Sequence, residues 1–521
     1  MPEINRRSFI GAGAAVSGLG LLAACGRTGS AGSPGGALVT PGDAIVDAVE
    51  KERAGTGKER AFTLRAAESE LDLGGRTVRT WSFGDALPGE ELRVSAGDTL
   101  KATLENRLPD PTSIHWHGLA LRNDMDGVPP ITQKAVKPGG DFTYRFIVDT
   151  PGTHWFHPHV GTQIDRGLYA PIIVDDPDEP LAYDEEWVVM LDDWLDGIDG
   201  TTPDAVLEEV REGMDHGGGG GHGGHGGGEG GMEGMDGGGP MRMGNTLMGA
   251  SSDLLGGDAG DIYYPLHLVN GRPADDPRTF KADPGARLRL RLINAGGDTA
   301  YRVVLGGHRM TITHTDGYPV EHREVDGVVL GMGERYDVLV TLKDGVFPLV
   351  VLAEGKDATA LGLVRTGSGE APGKDVRPDE LDGKIVHATE LKAAPEVRLE
   401  KRGPEAEHTI ELTGGMGAYD WALNGRRFDH EDPTKGAFTC EQGQRVRVVF
   451  KNSTMMWHPM HLHGHTFQIA DGGPRKDTVI VLPGQSVKVD FEADNPGQWL
   501  VHCHNIYHGE VGMMGLLAYT A

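Results

Sequence analysis

Between positions 502 and 513 the chain reads His502-Cys503-His504, then His508, then Met513, so one thiol, three imidazoles and one thioether fall within twelve residues. A thiolate with two imidazoles and a weak axial thioether is the donor set that copper prefers in electron-transfer centres. In an extended strand alternate side chains face opposite sides, so Cys503 can hold one metal while His502 and His504 reach others. The segment therefore joins one redox centre to a second through covalent bonds.

Four His-x-His pairs occur: His115-Trp116-His117, His157-Pro158-His159, His461-Leu462-His463 and His502-Cys503-His504. One such pair carries little information, because histidines at i and i+2 share a strand face by chance or bind zinc. Four pairs, two in each outer part of the chain, offer eight nitrogens. That number suits three metals if two share six imidazoles and the third takes two.

Positioning such groups requires strands. The chain has 521 residues with 80 Gly and 31 Pro, too long for one ordinary domain and too turn-rich to be mainly helical. Alternating segments bounded by Pro, Gly, Asp or Asn run over 91–94, 99–104, 142–148, 287–293, 336–341, 445–450 and 486–491. A repeat organises them: Gly97 leads to Asn106, Gly285 to Asn294 and Gly443 to Asn452, nine residues apart each time. Nine and eleven residues beyond the first and third Asn stand His115, His117, His461 and His463, whereas the middle copy has Val303 and Leu305. Three β-sandwiches are expected over 61–180, 181–385 and 386–521, with metal donors in the outer two and His308, His314 and His322 of the middle one as ordinary histidines.

The formal net charge of -28 argues against nucleic acid or anionic lipid as a partner of the surface at large. Residues 1–25 read as a leader: Arg6-Arg7 before Ser8-Phe9-Ile10 resembles a twin-arginine export signal, and Leu22-Ala23-Ala24-Cys25 a lipoprotein box with Cys25 as the lipidated residue. This places the protein outside the cytoplasm, tethered in the cell envelope at the outer face of the membrane or in a periplasm-like space. A linker over 26–60 follows, with one short helix between Gly42 and Glu52. With Cys25 as anchor and Cys503 as ligand, Cys440 has no disulfide partner and reads as a small buried strand residue.

From about Ala61 to its end the chain resembles the three-domain, laccase-like multicopper oxidases, and among them an exported mycobacterial branch that detoxifies copper. The resemblance is carried by His458-x-x-His461-x-His463 and by His502-Cys503-His504-x-x-x-His508-x-x-x-x-Met513. It implies an all-β chain of three cupredoxin-like Greek-key β-sandwich domains. It also implies four copper ions: one type 1, one type 2 and a binuclear type 3 pair. His115 and His461 match the type 2 ligands; His117, His157, His159, His463, His502 and His504 match the type 3 ligands; His458, Cys503 and His508 match the type 1 site, with Met513 axial. Asp126 before Gly127 matches the family's proton-relay carboxylate, with an ordinary turn aspartate as the competing view. Many relatives carry an acidic residue directly after the type 1 histidine, where this chain has Gly509 followed by Glu510. Asp477 is a candidate acceptor for a ligand imidazole. His154 and His465 are expected in the core or behind the ligands, Met514 beside the axial position, and Met455, Met456 and Met460 packed around His458 and the strand ends.

Reducing O2 to water takes four electrons, while a cuprous ion or a phenol gives one at a time. The choice of donor turns on residues 211–248, of which 18 are glycine. They include His216, His222 and His225, with Met214, Met232, Met235, Met241, Met243 and Met248. Such a composition predicts a loop rather than core, and thioethers favour Cu(I) while imidazoles accept either copper state. The leading expectation is an oxidase that converts Cu(I) to Cu(II) with O2 as acceptor, the loop gathering copper. A Gly-rich insertion with incidental Met and His is the bland reading of that loop. A laccase acting on phenols or other small aromatic reductants is the alternative within the class. From another class, a copper-binding or storage protein is disfavoured because storage calls for many equivalent soft ligands, not one thiol tied to eight imidazoles. The filled set of histidine pairs likewise disfavours a two-domain nitrite reductase.

Overall fold

The computed structural model describes residues 36–212 and 239–521. The leader with Arg6, Arg7 and Cys25, and Met214, His216, His222, His225, Met232 and Met235 of the insertion, lie outside the described residues. Among the described residues no helix is long and apolar enough to cross a membrane.

Three pairs of sheets follow one another along the chain. The first pair has four strands in each sheet, from Glu59–Asp72 to Ala170–Asp175. The second has six in each, from Glu185–Trp194 to Ile385–Val386, and the third has six and five, from Ala406–Thr413 to Met514–Thr520. Every pair repeats one parallel contact: Glu59–Asp72 on Asp98–Asn106, Glu185–Trp194 on Arg287–Asn294, and Ala406–Thr413 on Arg445–Asn452. Asp98–Asn106 alternates buried and half-buried residues along its length, as a strand with one face on a core must.

The repeated Gly and Asn have a physical cause. Gly97, Gly285 and Gly443 all sit at φ 87, a left-handed turn that opens the strand and disfavours any side chain. Each buried Asn closes the strand's far end. The amide of Asn106 donates to the carbonyls of Asp110 and Val136, that of Asn294 to Thr299 and Leu330, and that of Asn452 to Met456 and Val481. Their carbonyl oxygens accept from the main-chain N–H of Leu108, Gly296 and Thr454. Buried backbone groups of the turn are thereby satisfied three times by one device. In the middle sandwich Val303 and Leu305 take the places of the outer histidines and are buried in its core.

Two expectations are corrected. The stretch read as a linker, 26–60, belongs to the folded body from Leu38 on. Leu38 bridges to Thr520, Val39 bonds Tyr519 and is buried in the core of the third sandwich, and the helix Ala44–Glu52 adds Val46 to it. Its few apolar residues are used by a distant core, which a local reading of polarity misses. The insertion, read as a loop over 211–248, ends in a hairpin, Met241–Met243 with Thr246–Met248, whose Leu247 is buried. The helix Pro203–Arg211 precedes it, started by the Thr202 side chain accepting from the Ala205 N–H with Pro203 in the first turn.

Arg289 and Arg291 lie buried on Arg287–Asn294 because Asp337 faces both, at 2.5 and 3.1 Å. Asp337 also accepts from Thr153 of the first sandwich at 2.7 Å, so it ties two sandwiches together. Burial pushes its carboxyl pKa up, but the two guanidinium groups outweigh this and hold it well below the ordinary value. Asp337→Ala leaves two buried cations without their anion and is expected to cost about 3–5 kcal/mol of stability. A depressed folded pKa gives stability that is complete above the unfolded value near 4 and fades as pH falls toward the folded one. Urea unfolding between pH 7 and 3 checks this: the gap between parent and variant should narrow below about pH 4.

Candidate metal centre

The histidines of the first sandwich stand on paired strands. His115–His117 runs antiparallel to Gly152–His157, with His115 opposite His157. Trp116, on the other face, packs into the core against Tyr144, Phe146 and Phe156, which fixes the direction of both flanking imidazoles. In the third sandwich His458–Leu462 pairs with Gln498–Cys503, placing Met460 opposite Cys503 and His461 opposite His502. The two sets meet face to face: His115 stacks on His463 at 3.7 Å between ring centres, and His117 on His461 at 3.8 Å.

Three nests of nitrogen donors result. His117, His157 and His504 form one, His159, His463 and His502 a second, and His115 and His461 join His117 in a third. Each imidazole that has a partner gives one nitrogen to an oxygen and keeps the other. His115 Nδ1 faces the Asp126 carbonyl, His157 Nδ1 the Pro158 carbonyl, His461 Nδ1 the Asp477 carbonyl and His502 Nδ1 the Cys503 carbonyl, all at 2.8–3.0 Å. His463 Nδ1 donates to Asp126 Oδ2 at 3.0 Å. His117 is turned the other way, with Nε2 on Asp477 Oδ1 at 3.0 Å.

Left over, buried and without a partner, are Nε2 of His115, His157 and His461, Nδ1 of His117 and both nitrogens of His504. His463 Nε2 and His502 Nε2 point at each other across 3.1 Å. Burial lowers the pKa of His117, His157, His159, His463, His502 and His504 well below the ordinary 6.5, and neighbouring imidazoles add to it. These rings are neutral at pH 7, and buried lone pairs without a hydrogen-bond donor are what a metal ion satisfies. The donor set fits copper.

On the opposite face of the same strand Cys503 Sγ lies 3.6 Å from His458 Nδ1 and 3.7 Å from His508 Nδ1, the two nitrogens being 3.2 Å apart. Their outer nitrogens are held by Thr454 Oγ1 at 2.9 Å and by Asp261 Oδ2 at 3.5 Å. Burial pushes the Cys503 thiol well up, so a cation must be present for it to ionise. Met513 is buried, with its main chain bonded to both Cys503 and His508. The His508 backbone is fixed by the Asn505 side chain, which accepts from the N–H groups of Tyr507 and His508.

Two carboxylates stitch the seam between sandwiches. Asp126 of the first reaches His115 Nδ1 at 3.1 Å and His463 of the third at 3.0 Å. Gly127 makes this turn with φ 79, and a side chain there would strike the Ile114 carbonyl. Asp477 of the third sandwich accepts from His117 of the first and from both Nη groups of Arg335 of the second, at 2.7 and 2.6 Å. Burial opposes ionisation of Asp477, but Arg335 and the two imidazoles keep its pKa well below the ordinary value.

The remaining candidates separate cleanly. His465 is tied to the His463 carbonyl and to Tyr519 Oη, behind the ligands. His154 is buried with neither ring nitrogen paired, outside every donor nest. Met514 packs with Val128 and Leu500. Met456 and Met460 are buried, but Met455, expected to pack near His458, is 84% exposed, because it caps a turn whose inward position is taken by Met456. Burial raises the carboxyl of partly buried Glu510 to about 7, and it lines a cavity with His159, Val128, Leu500 and Met514. His308, His314 and His322 belong to no donor nest among the described residues. Sequence reasoning missed Arg335, Asp261 and Thr454. Only Thr454 carried a signal, standing two residues after the repeated Asn452.

Family models described as multicopper oxidase match residues 66–179, 251–368 and 401–521. The chain is 46% identical to the multicopper oxidase MmcO of Mycobacterium tuberculosis, over 99% of this chain and 97% of that protein. It is 28% identical to a copper resistance protein A homolog of Pseudomonas syringae pv. tomato, over 98% of each. Among solved structures, a multi-copper oxidase from Pseudomonas thermotolerans superimposes with a TM-score of 0.66 at 26% identity, over 89% of this chain and 99% of that one. A laccase from Botrytis aclada shares the fold, with a TM-score of 0.70 at 23% identity over 91% and 90%.

Proposed function

Since the chain belongs to the multicopper oxidases, enzymes built here on three cupredoxin-type domains, we propose that it oxidises Cu(I) one electron at a time and hands the electrons to O2. We assign the type 1 site to His458, Cys503 and His508 with Met513 axial, the type 2 site to His115 and His461, and the type 3 pair to His117, His157 and His504 with His159, His463 and His502. We divide the domains at 61–180, 181–385 and 386–521. Four copper ions in these places supply single-electron acceptance at the sulfur and full reduction of O2 at the imidazoles.

The chain's own part is positioning. Cys503 carries the electron through its backbone to His502 and His504, the shortest covalent route between the sites. Asp126 holds a proton beside His463 and His115, and Asp477 fixes the tilt of His117. One observation carries the choice of Cu(I) over a phenol. His508 is wholly buried, and its outer nitrogen faces Asp261 rather than solvent. An aromatic ring cannot stack on that edge, whereas a small ion docked nearby can pass an electron inward. Relatives named copper resistance protein A agree with this choice. Laccase activity is the second reading, supported by similarity to a fungal laccase, 27% identical over 88% of this chain. Export through Arg6-Arg7 and lipid attachment at Cys25 complete the proposal and place the reaction in the cell envelope.

The test compares steady-state Cu(I) and phenol oxidation by the full chain and by a variant lacking residues 213–238, a deletion that spares the packed hairpin. Cu(I) should be the better substrate by kcat/KM, and the deletion should raise KM for Cu(I) by about tenfold with phenol turnover unchanged. A phenol preference in the parent would contradict the Cu(I) reading, and unchanged Cu(I) kinetics at low copper would contradict the loop's part in it.

A further inference from the structure

Among the described residues the large hydrophobic side chains left exposed are all methionine: Met241 at 58%, Met243 at 52%, Met248 at 40% and Met455. The first three share one small hairpin. In its register Met241 lies directly opposite Met248, and Met243 follows Met241 by two positions, so the three side chains project from one face. The other face is the anchored one: Leu247 is buried and the Arg242 guanidinium lies 4.3 Å over the Tyr263 ring.

The hairpin is also clamped at both ends. Its turn residue Asn245 gives its main-chain and side-chain N–H groups to Glu209 of the helix Pro203–Arg211, at 3.1 and 2.7 Å. That helix in turn reaches the Glu510 carbonyl through Arg211 at 2.9 Å. Directly opposed residues have Cβ atoms about 4.5–5.5 Å apart, and a thioether on three rotatable bonds can close that gap on a single ion. A surface that needed only to be tolerated in water would carry polar residues here. Three soft donors on a rigid base select a soft cation.

We propose that Met241, Met243 and Met248 form a three-thioether docking site where Cu(I) enters the enzyme and gives up its electron. The inference rests on the cuprous-oxidase reading and says where that substrate binds. The route inward is short. The Leu247 N–H donates to the Asp261 carbonyl at 2.8 Å, and the Asp261 carboxylate touches the outer nitrogen of His508 at 3.5 Å. Each docked Cu(I) loses one electron to the oxidised type 1 site and becomes Cu(II). Four such losses, with four protons, convert one O2 to two waters. Thioethers hold Cu(I) better than Cu(II), so the preference that captures the substrate also releases the product.

The test uses the copper-loaded full chain, with Ag(I) as a soft cation that cannot be oxidised here, and a Met241→Leu, Met243→Leu, Met248→Leu triple variant. Leucine on an exposed face keeps volume and should leave the melting temperature unchanged. With methyl-labelled methionine, Ag(I) should shift three methyl resonances of the parent that are missing from the variant. In the variant KM for Cu(I) should rise at least about tenfold while kcat at saturating Cu(I) and phenol turnover hold. Methyl signals that ignore Ag(I), or an unchanged KM, would overturn the site. A parent that shows the three shifts but oxidises phenol and not Cu(I) would keep the cation site and remove only the activity reading.

Discussion

Cys503→Ser should abolish the strong sulfur-to-copper charge-transfer band and lower turnover with every reductant by at least about 10³-fold. The argument is geometric. Cys503 is the one sulfur facing both His458 and His508, and its own backbone continues into His502 and His504. A serine hydroxyl is nearly the same size but is a hard donor that stays protonated at neutral pH, so the soft site is lost while the strand and its buried neighbours keep their places. The histidine nests lie on the opposite face of that strand and use none of the cysteine's atoms. They should therefore stay loaded. Absorption spectra, copper analysis and O2 uptake on one preparation check all three parts, and loss of copper from every site together would show that the change had broken the fold instead.

Asp126→Asn should lower kcat by about 10²–10⁴-fold with the copper content and the charge-transfer band intact, the range lost when a positioned proton carrier is removed. Asp126 is wholly buried, at hydrogen-bond distance from His115 of its own sandwich and His463 of the other, with Oδ1 free of any donor except that imidazole. An asparagine keeps the shape and one acceptor but carries no proton. A structural role alone would change copper loading and leave the rate per loaded site alone. A proton role changes the rate per site, enlarges the solvent isotope effect and is partly restored by Asp126→Glu. Rates normalised to bound copper, measured across pH, distinguish the two.

How far the sequence could be read depended on distance along the chain. The histidine pairs were legible because period two is local, and so was the Cys503 segment, whose two faces follow from strand geometry alone. The Gly-to-Asn repeat was legible as spacing, and its cause became plain only with the three turns whose backbone groups the asparagines satisfy. Contacts between sandwiches left no local trace. Arg335 stands 142 residues before its partner Asp477, and nothing near either announces the pair. Val39 and Val46 are isolated apolar residues in a polar stretch, and their burial depends on a core hundreds of residues later. The hairpin was hidden by its glycine-rich surroundings, although Gly244-Asn245 between Met-Arg-Met and Thr-Leu-Met has the form of a two-residue turn.

Integrating the electron-spin-resonance signal of the oxidised enzyme against its total copper tests most directly whether histidines from the first and third sandwiches enclose one common cluster. The account predicts four coppers per chain with only half of them visible, one in a narrow-hyperfine thiolate site and one ordinary, while the two in the facing nests of His504 and His502 are silenced by coupling. Copper that is all visible, each ion counted as an isolated spin, would contradict it.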